Sequence, residues 1–533
     1  MHFLDAGYSG NVAVSPDSKG WLNILTMNSE IETIIDTGQM DPLISERQSA
    51  GWDMQNASRN YLWLVISYGA SAAFALASVL LLTRSLGTEN YGGIIAVIAA
   101  SQVVQIFLNW STVAMIRFGI EEFVKNGNIR NSFWSRMYIL IPNIILAFAL
   151  ATLWFPPLSQ WLKLPSYAFL LVAVNLFSGA LWQHFQYGLQ GIKLAWLQGT
   201  LAAIEKLLIF AAVLTLVATT RLDIFTAVLA YSFAPLITCF VAIIYLRRSI
   251  SLPPAPDMTH IKKMLVYSLP LFPFSVIGYF SSNYLDSIFI INLLDLRKLA
   301  IYSIAVQINS VILQLPLLAN SLLLPMFVTM HTREAELGGK TETYFTNVVP
   351  LLTLIWGGGC VVISLAGYYL IPLILGSDFL ETGTALWILL AASNFHAVIY
   401  FGYAALANAH MLSSVSLYSA LCSASINLSL NFVLIPRFGL RGCALATAAA
   451  FLVSLVTFVF FLKRKVSFKV SWTPAALVPI VAALAVIILF SAPLAAIAVW
   501  LTACGGVIIL FYPSVRIGLK MLIDRGRSPL TTS

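Results

Sequence analysis

The sequence predicts an all-α polytopic membrane protein of about fourteen transmembrane helices, arranged as two six-helix lobes followed by two C-terminal helices. Three observations predict this. Of 533 residues, 59% are hydrophobic and only 10% charged, against about 25% charged in a soluble chain; the mean hydropathy is +0.86. The apolar residues gather in runs long enough to cross a bilayer, which takes about 20 residues each. The basic residues between these runs alternate in density.

Residues 1–60 hold eight Asp/Glu against three Lys/Arg and lack the pattern of a cleavable signal peptide. They are expected to form a cytoplasmic extension, disordered at least in part. Spans then follow near 61–82, 93–116, 137–156, 166–189, 197–220 and 224–246, making a first lobe over 61–246. A second lobe, 264–462, comprises 264–294, 299–327, 346–375, 384–408, 412–435 and 442–462. The last pair, 474–491 and 493–513, is split by little more than Ala492-Pro493 and reads as a tight hairpin before a cytoplasmic tail, 514–533. With both termini placed inside, 22 Lys/Arg fall on the inner side and 7 on the outer, the bias expected of the cytoplasmic face of a cell's inner membrane.

The two lobes carry an internal repeat. Arg221 with Leu229-Ala230 matches Arg437 with Leu445-Ala446, and Tyr245-Leu246-Arg247-Arg248 matches Phe461-Leu462-Lys463-Arg464, both at an offset of 216. Tyr91-Gly92 matches Tyr302-Ser303 at 211. Six spans per repeat keep both copies in one orientation, a transporter architecture.

Chemistry inside a membrane resides in the few polar and charged residues that occur there. Glu205 and Lys206 lie within the fifth span and Asp286 within the seventh, after Ser281-Ser282-Asn283-Tyr284; Arg84 and Arg117 end the first two spans. Successive helical residues point about 100° apart, so Glu205 and Lys206 are expected to face different ways. Asp286 reads equally as a proton or cation carrier and as a buried partner for an arginine. His184 and His396 read first as hydrogen-bonded core residues, although Gln183, Gln186 and Gln190 make the helix of His184 unusually polar. Cys239, Cys360, Cys422, Cys443 and Cys504 sit in apolar runs without a CxxC pair and read as packing residues. No metal-binding spacing occurs. Pro270, Pro273, Pro316, Pro325 and Gly357-Gly358-Gly359 are expected to interrupt spans. After Tyr61 the longest loop is about 20 residues, too short to house a catalytic domain, so the chain reads as a non-enzyme without cofactor.

Four segments in order carry a family resemblance: Thr83-Arg84-Ser85-Leu86-Gly87-Thr88-Glu89-Asn90-Tyr91-Gly92; Tyr267-Ser268-Leu269-Pro270 with Asp286 and Ile301-Tyr302-Ser303; Ile371-Pro372-Leu373-Ile374-Leu375-Gly376-Ser377-Asp378-Phe379; and Asn427 to Gly442 with Asn431, Ile435-Pro436-Arg437 and Gly439. Over 61–462 the chain resembles the polysaccharide-transport (Wzx-type) flippases of the MATE-like (MOP) superfamily. The resemblance implies two lobes about a central cavity and alternating-access transport of an undecaprenyl-diphosphate-linked oligosaccharide. Membrane lipids, a polysaccharide polymerase and chain-length machinery are the implied partners, and nucleic acid is not. An anionic headgroup needs cations on its path; Arg84, Arg117 and Lys206 are the candidates, with His184 beside them. Gln190, Asn283, Asn427 and Asn431 are expected to line the cavity. Glu205 and Asp286 are candidates for a charge network or for proton or sodium coupling. Rival readings are a MATE-type drug antiporter, a lipid II flippase and a non-transporting scaffold.

Overall fold

The computed structural model describes residues 54–161, 167–192, 194–251, 256–269, 272, 283–332, 341–410 and 412–524. The predicted extension, 1–60, lies outside the described residues but for the backbone of 54–60, as do Pro270 and Pro273. Residues 63–533 form one compact unit. Within it the described residues are helices joined by short turns, with no strand. Eleven helices are long and apolar enough to cross a membrane. Two of these are long enough for two passes each.

The first is α1, Met54–Asn109, which breaks at Gly87 (φ 78°). α2 is Thr112–Asn126, and Gly127 at φ 70° ends it in the left-handed turn that glycine adopts without strain. The buried Glu122 carboxylate then accepts the Asn131 and Ser132 amides at 2.8 Å each, satisfying the first donors of α3, Arg130–Trp161. α4 (Ala168–Gly191) and α5 (Ala195–Ala218) follow. α6, Ile224–Ile250, opens with a reciprocal cap between Asp223 and Thr226. α7, Met258–Ser268, is capped by Asp257. Then come α8 (Asn283–Leu293) and α9 (Leu296–Thr332), which runs on through Pro316.

A π turn, Tyr344–Val348, leads into α10, Val349–Leu375. The expected break at Gly357-Gly358-Gly359 does not occur: α10 is continuous there. Two of those glycines serve packing instead. A side chain on Gly357 would lie 2.8 Å from the Asn394 amide, and one on Gly358 would lie 3.1 Å from the Trp500 ring. α11 (Leu380–Val398) passes through a second π turn, Ile399–Tyr403, into α12 (Ala404–Ala409).

α13, Ser413–Lys463, is the second double pass, turning at Gly439 (φ 56°). Its arms bond to each other in antiparallel order: Ser419 to Ser454, Ser423 to the Ala450 carbonyl, Asn427 to Thr447. α14 (Thr473–Phe490) and α15 (Pro493–Leu510) make the predicted hairpin, and α16 (Tyr512–Asp524) runs into the expected tail.

Packing sorts the helices. α2 to α6 associate with one another, and α1 joins them through Trp63 to Thr200 of α5 and Ser101 to Asn175 of α4; α8 to α13 do the same, and α14 and α15 lie against α10. α7, which opens the second half of the sequence, packs on α2 and α3 of the first. Connections expected on one side of the membrane meet in space. At the end expected to be outer, Arg297 pairs with Asp378 (2.6 Å) and Lys298 with Glu381 (2.5 Å). At the end expected to be inner, Lys469 pairs with Glu342 (2.6 Å), Trp134 donates to the Ile250 carbonyl, and Gly518 of α16 packs on the Asn347 carbonyl. All five cysteines are free, with Cys239, Cys360, Cys443 and Cys504 buried.

Candidate functional site

A cavity of about 560 Å³ lies between the two helix groups. The first group contributes residues of α1, α4, α5 and α6, and the second contributes Ser287 of α8 and Tyr302 to Val311 of α9. Its wall is rich in side-chain amides: Gln102, Gln105, Gln183, Gln186 and Gln307, with Asn175 behind Ser178. Gly179 makes room for one of these, because a side chain there would fall 2.2 Å from the Gln105 amide nitrogen. Asn175 is fixed by Ser101, which donates to its oxygen at 2.6 Å, and donates in turn to Ser232.

Glu205 and Lys206 both line this cavity and bond to each other at 2.7 Å. The expectation that they face different ways is therefore corrected. Their Cα–Cβ bonds do diverge, but the four-carbon lysine stem carries Nζ back across the carboxylate. Lys206 is 34% exposed and Glu205 9%, so the cation faces the cavity and the anion sits behind it.

The other candidates lie elsewhere. Arg84 donates from Nε (2.9 Å) and Nη2 to the Ile374 carbonyl in the last turn of α10, where a cation meets the negative end of the helix. It joins the two groups at the ends expected to be outer. Beside it, Gly92 packs on the Leu296 backbone and Gln307 donates to the buried Tyr91 hydroxyl at 3.0 Å. Arg117 stacks on Tyr267, its guanidinium 4.8 Å from the ring centre. Gln190 donates to Gln198 across the turn between α4 and α5. None of these three lines the cavity among the described residues. The Asn283 side chain lies outside the described residues.

His184 is fully buried, against Phe133 at 4.2 Å. Its Nδ1 lies 2.6 Å from Nη1 of Arg136, which is 0% exposed. Guanidinium only donates, so Nδ1 accepts and the ring proton sits on Nε2. The sequence placed Arg136 in an inner loop, and only the fold shows that it is buried. His396 is packed between Tyr400 and Phe451.

Asp286 is 1% exposed and lies in a second polar centre inside the second group. It accepts from Asn431 (2.9 Å), Thr447 (2.9 Å) and Tyr302 (3.1 Å), and Asn431 also donates to Asn427. Asn427 and Asn431 thus hold the carboxylate rather than line the cavity. The alternative of an arginine partner is not realised among the described contacts of Asp286; all its partners are neutral. Tyr302 touches both centres, since it also lines the cavity.

Among the described residues no cluster of His, Cys, Asp or Glu could hold a metal ion. The fold is similar to that of a lipid II flippase, MurJ, in an inward closed conformation, with a TM-score of 0.63 at 14% identity over 85% of this chain and 99% of that one. It is also similar to a Vibrio cholerae MATE transporter (TM-score 0.52, 14% identity, 76% and 98% covered). An inward-facing multidrug resistance MATE transporter of the MOP superfamily gives 0.51 at 14% identity, with 76% and 96% covered. No curated protein sequence matches. The model of a family described as polysaccharide biosynthesis protein matches residues 57–331. That match spans just over half of the chain, which therefore belongs to the polysaccharide biosynthesis protein family and has the fold of the MOP-superfamily transporters.

Proposed function

We propose that this chain is a flippase that carries the headgroup of an undecaprenyl-diphosphate-linked oligosaccharide across the cytoplasmic membrane by alternating access. The observation that carries the reading is the amide-lined cavity shared by the two helix groups. A sugar headgroup needs hydrogen-bond partners at membrane depth, where each unsatisfied polar group costs several kcal/mol. The lipid tail stays in the bilayer while the headgroup passes between the groups. Lys206 is the cation the diphosphate meets, and Glu205 neutralises it between passages. Two negative charges leaving a negative interior gain about 4.6 kcal/mol per 100 mV. Asp286, held by neutral donors, supplies the proton or sodium coupling.

Arg84 and Tyr91 belong to the outer seam that must part for release, and Arg117 to the inner rim. On the inside-positive reading both termini are cytoplasmic, near the polymerase and chain-length machinery that receive the product. An acidic lining, which a cation antiporter would favour, is not what the cavity presents. Deletion of the gene tests the reading: the lipid-linked oligosaccharide accumulates with its sugar on the inner leaflet. Normal surface polysaccharide in the deletion strain refutes it.

A further inference from the structure

The cavity's composition constrains the cargo more narrowly than the proposed function does, and the following rests on that function. We infer that the repeat unit carried by this chain is built of uncharged sugars, selected by the glutamine wall against units bearing uronic or other acidic sugars.

Five glutamines face the cavity from three helices: Gln102 and Gln105 on α1, Gln183 and Gln186 on α4, Gln307 on α9. A primary amide presents two donors and an acceptor. A sugar hydroxyl also donates and accepts, so each amide can satisfy a hydroxyl in either sense. A carboxylate only accepts, and needs compensating positive charge when taken from water. The cavity has little to give. Among the described residues its one cation is Lys206, and Glu205 already occupies it at 2.7 Å. No Lys or Arg occurs in the sequence between Lys263 and Arg297, the stretch that holds the seventh span. Of the other cations of the membrane region, Arg84 bonds the Ile374 carbonyl, Arg117 stacks on the Tyr267 ring, and Arg136, which is not in the cavity wall, bonds His184 through Nη1 alone.

Every diphosphate-linked cargo brings its own negative charges, and these use what Lys206 has left. A further carboxylate on the sugars would sit among neutral amides, beside the Glu205 anion.

The test uses full-length protein in liposomes with the membrane potential clamped at zero, so that extra charge gains no drive. Two undecaprenyl-diphosphate tetrasaccharides are compared, one of neutral hexoses and one with a single hexose replaced by its uronic acid. Sugar reaching the far leaflet is read by an impermeant glycosidase. The neutral unit is expected to cross at least tenfold faster. Gln183→Lys, which adds a cation to the wall, is expected to narrow that ratio, and a ratio does not depend on the amount of folded protein. Equal rates, or a faster acidic unit, overturn the inference and leave the flippase reading intact. Movement of neither unit overturns the flippase reading and the inference with it.

Discussion

Gly92→Ala probes the outer seam with a single methyl group. A Cβ at this position falls 1.9 Å from the Leu296 carbonyl oxygen, whereas an ordinary carbon–oxygen contact is about 3.3 Å. The backbones must therefore separate by about 1.4 Å. The obstacle is main chain, so no rotamer change relieves it. Overpacking of this size costs about 1–3 kcal/mol. Gly92 belongs to the first helix group and Leu296 opens α9 of the second, so the cheapest relief is for the two groups to part at their outer ends. The same energy moves a two-state equilibrium about 5–150-fold.

Spin labels at Glu89→Cys and Ser377→Cys, two exposed positions on opposite sides of the seam, read the shift directly. The alanine variant should gain a longer-distance population in detergent and in lipid. An unchanged distance distribution in folded protein would show that the seam is not the moving part, and the alternating-access assignment of Gly92, Tyr91 and Arg84 would fall.

Four further outcomes follow from the same geometry. Lys206→Met should lose headgroup binding, while Glu205→Gln, which frees the ammonium, should tighten it and slow release; scintillation-proximity binding of a labelled lipid-diphosphate separates the two. Asp286→Ala leaves two buried donors, the Tyr302 hydroxyl and one Asn431 amide hydrogen, without an acceptor, while Thr447 turns to the Cys443 carbonyl; it should destabilise the protein by about 2 kcal/mol or more, read by unfolding in denaturant, whereas Asp286→Asn keeps the packing and tests coupling. Gly179→Ala should displace Gln105 and slow transport without changing expression, since the clash is with a side chain. Glu342 holds the exposed Lys469 ammonium above its ordinary range. That contribution is present at neutral pH and lost only as alkali titrates the lysine, but a pair in full solvent adds almost nothing, so Lys469→Ala should leave the unfolding curve unmoved at pH 7.

The apolar runs the sequence marked correspond, among the described residues, to eleven helices long enough to cross a membrane, two of them double-length, rather than to fourteen separate spans; the turns at Gly87 and Gly439 were legible because Arg84, Arg437 and Tyr91 punctuate them. It also flagged α4 as polar through Gln183, Gln186 and Gln190. It could not sort these three, because lining a cavity depends on helix rotation: Gln183 and Gln186 line it, and Gln190 bonds across a turn. Gln102, Gln105 and Gln307 were missed, each a single amide in an apolar run whose company comes from other helices. Charge alone misled at Arg84, whose role is to cap a distant helix end. The 100° rule misled at Glu205 and Lys206 because it describes Cβ directions rather than where a long side chain ends. Asn427, Asn431 and Asp286 were each noticed, but only the fold joins them, 145 residues apart between Asp286 and Asn431.

The central claim is that the cavity between the groups is the headgroup's route and that the outer seam must open for release. The most direct test is transport by the reconstituted protein with the seam locked. Arg84→Cys with Ile374→Cys, bridged through a short dithiol by two disulfides, ties it shut across the span the arginine side chain now fills, and undecaprenyl-diphosphate oligosaccharide in one leaflet supplies the cargo. The account predicts that the oxidised protein holds the oligosaccharide but delivers none, and that reduction restores delivery. Equal delivery by the oxidised and reduced forms would contradict it.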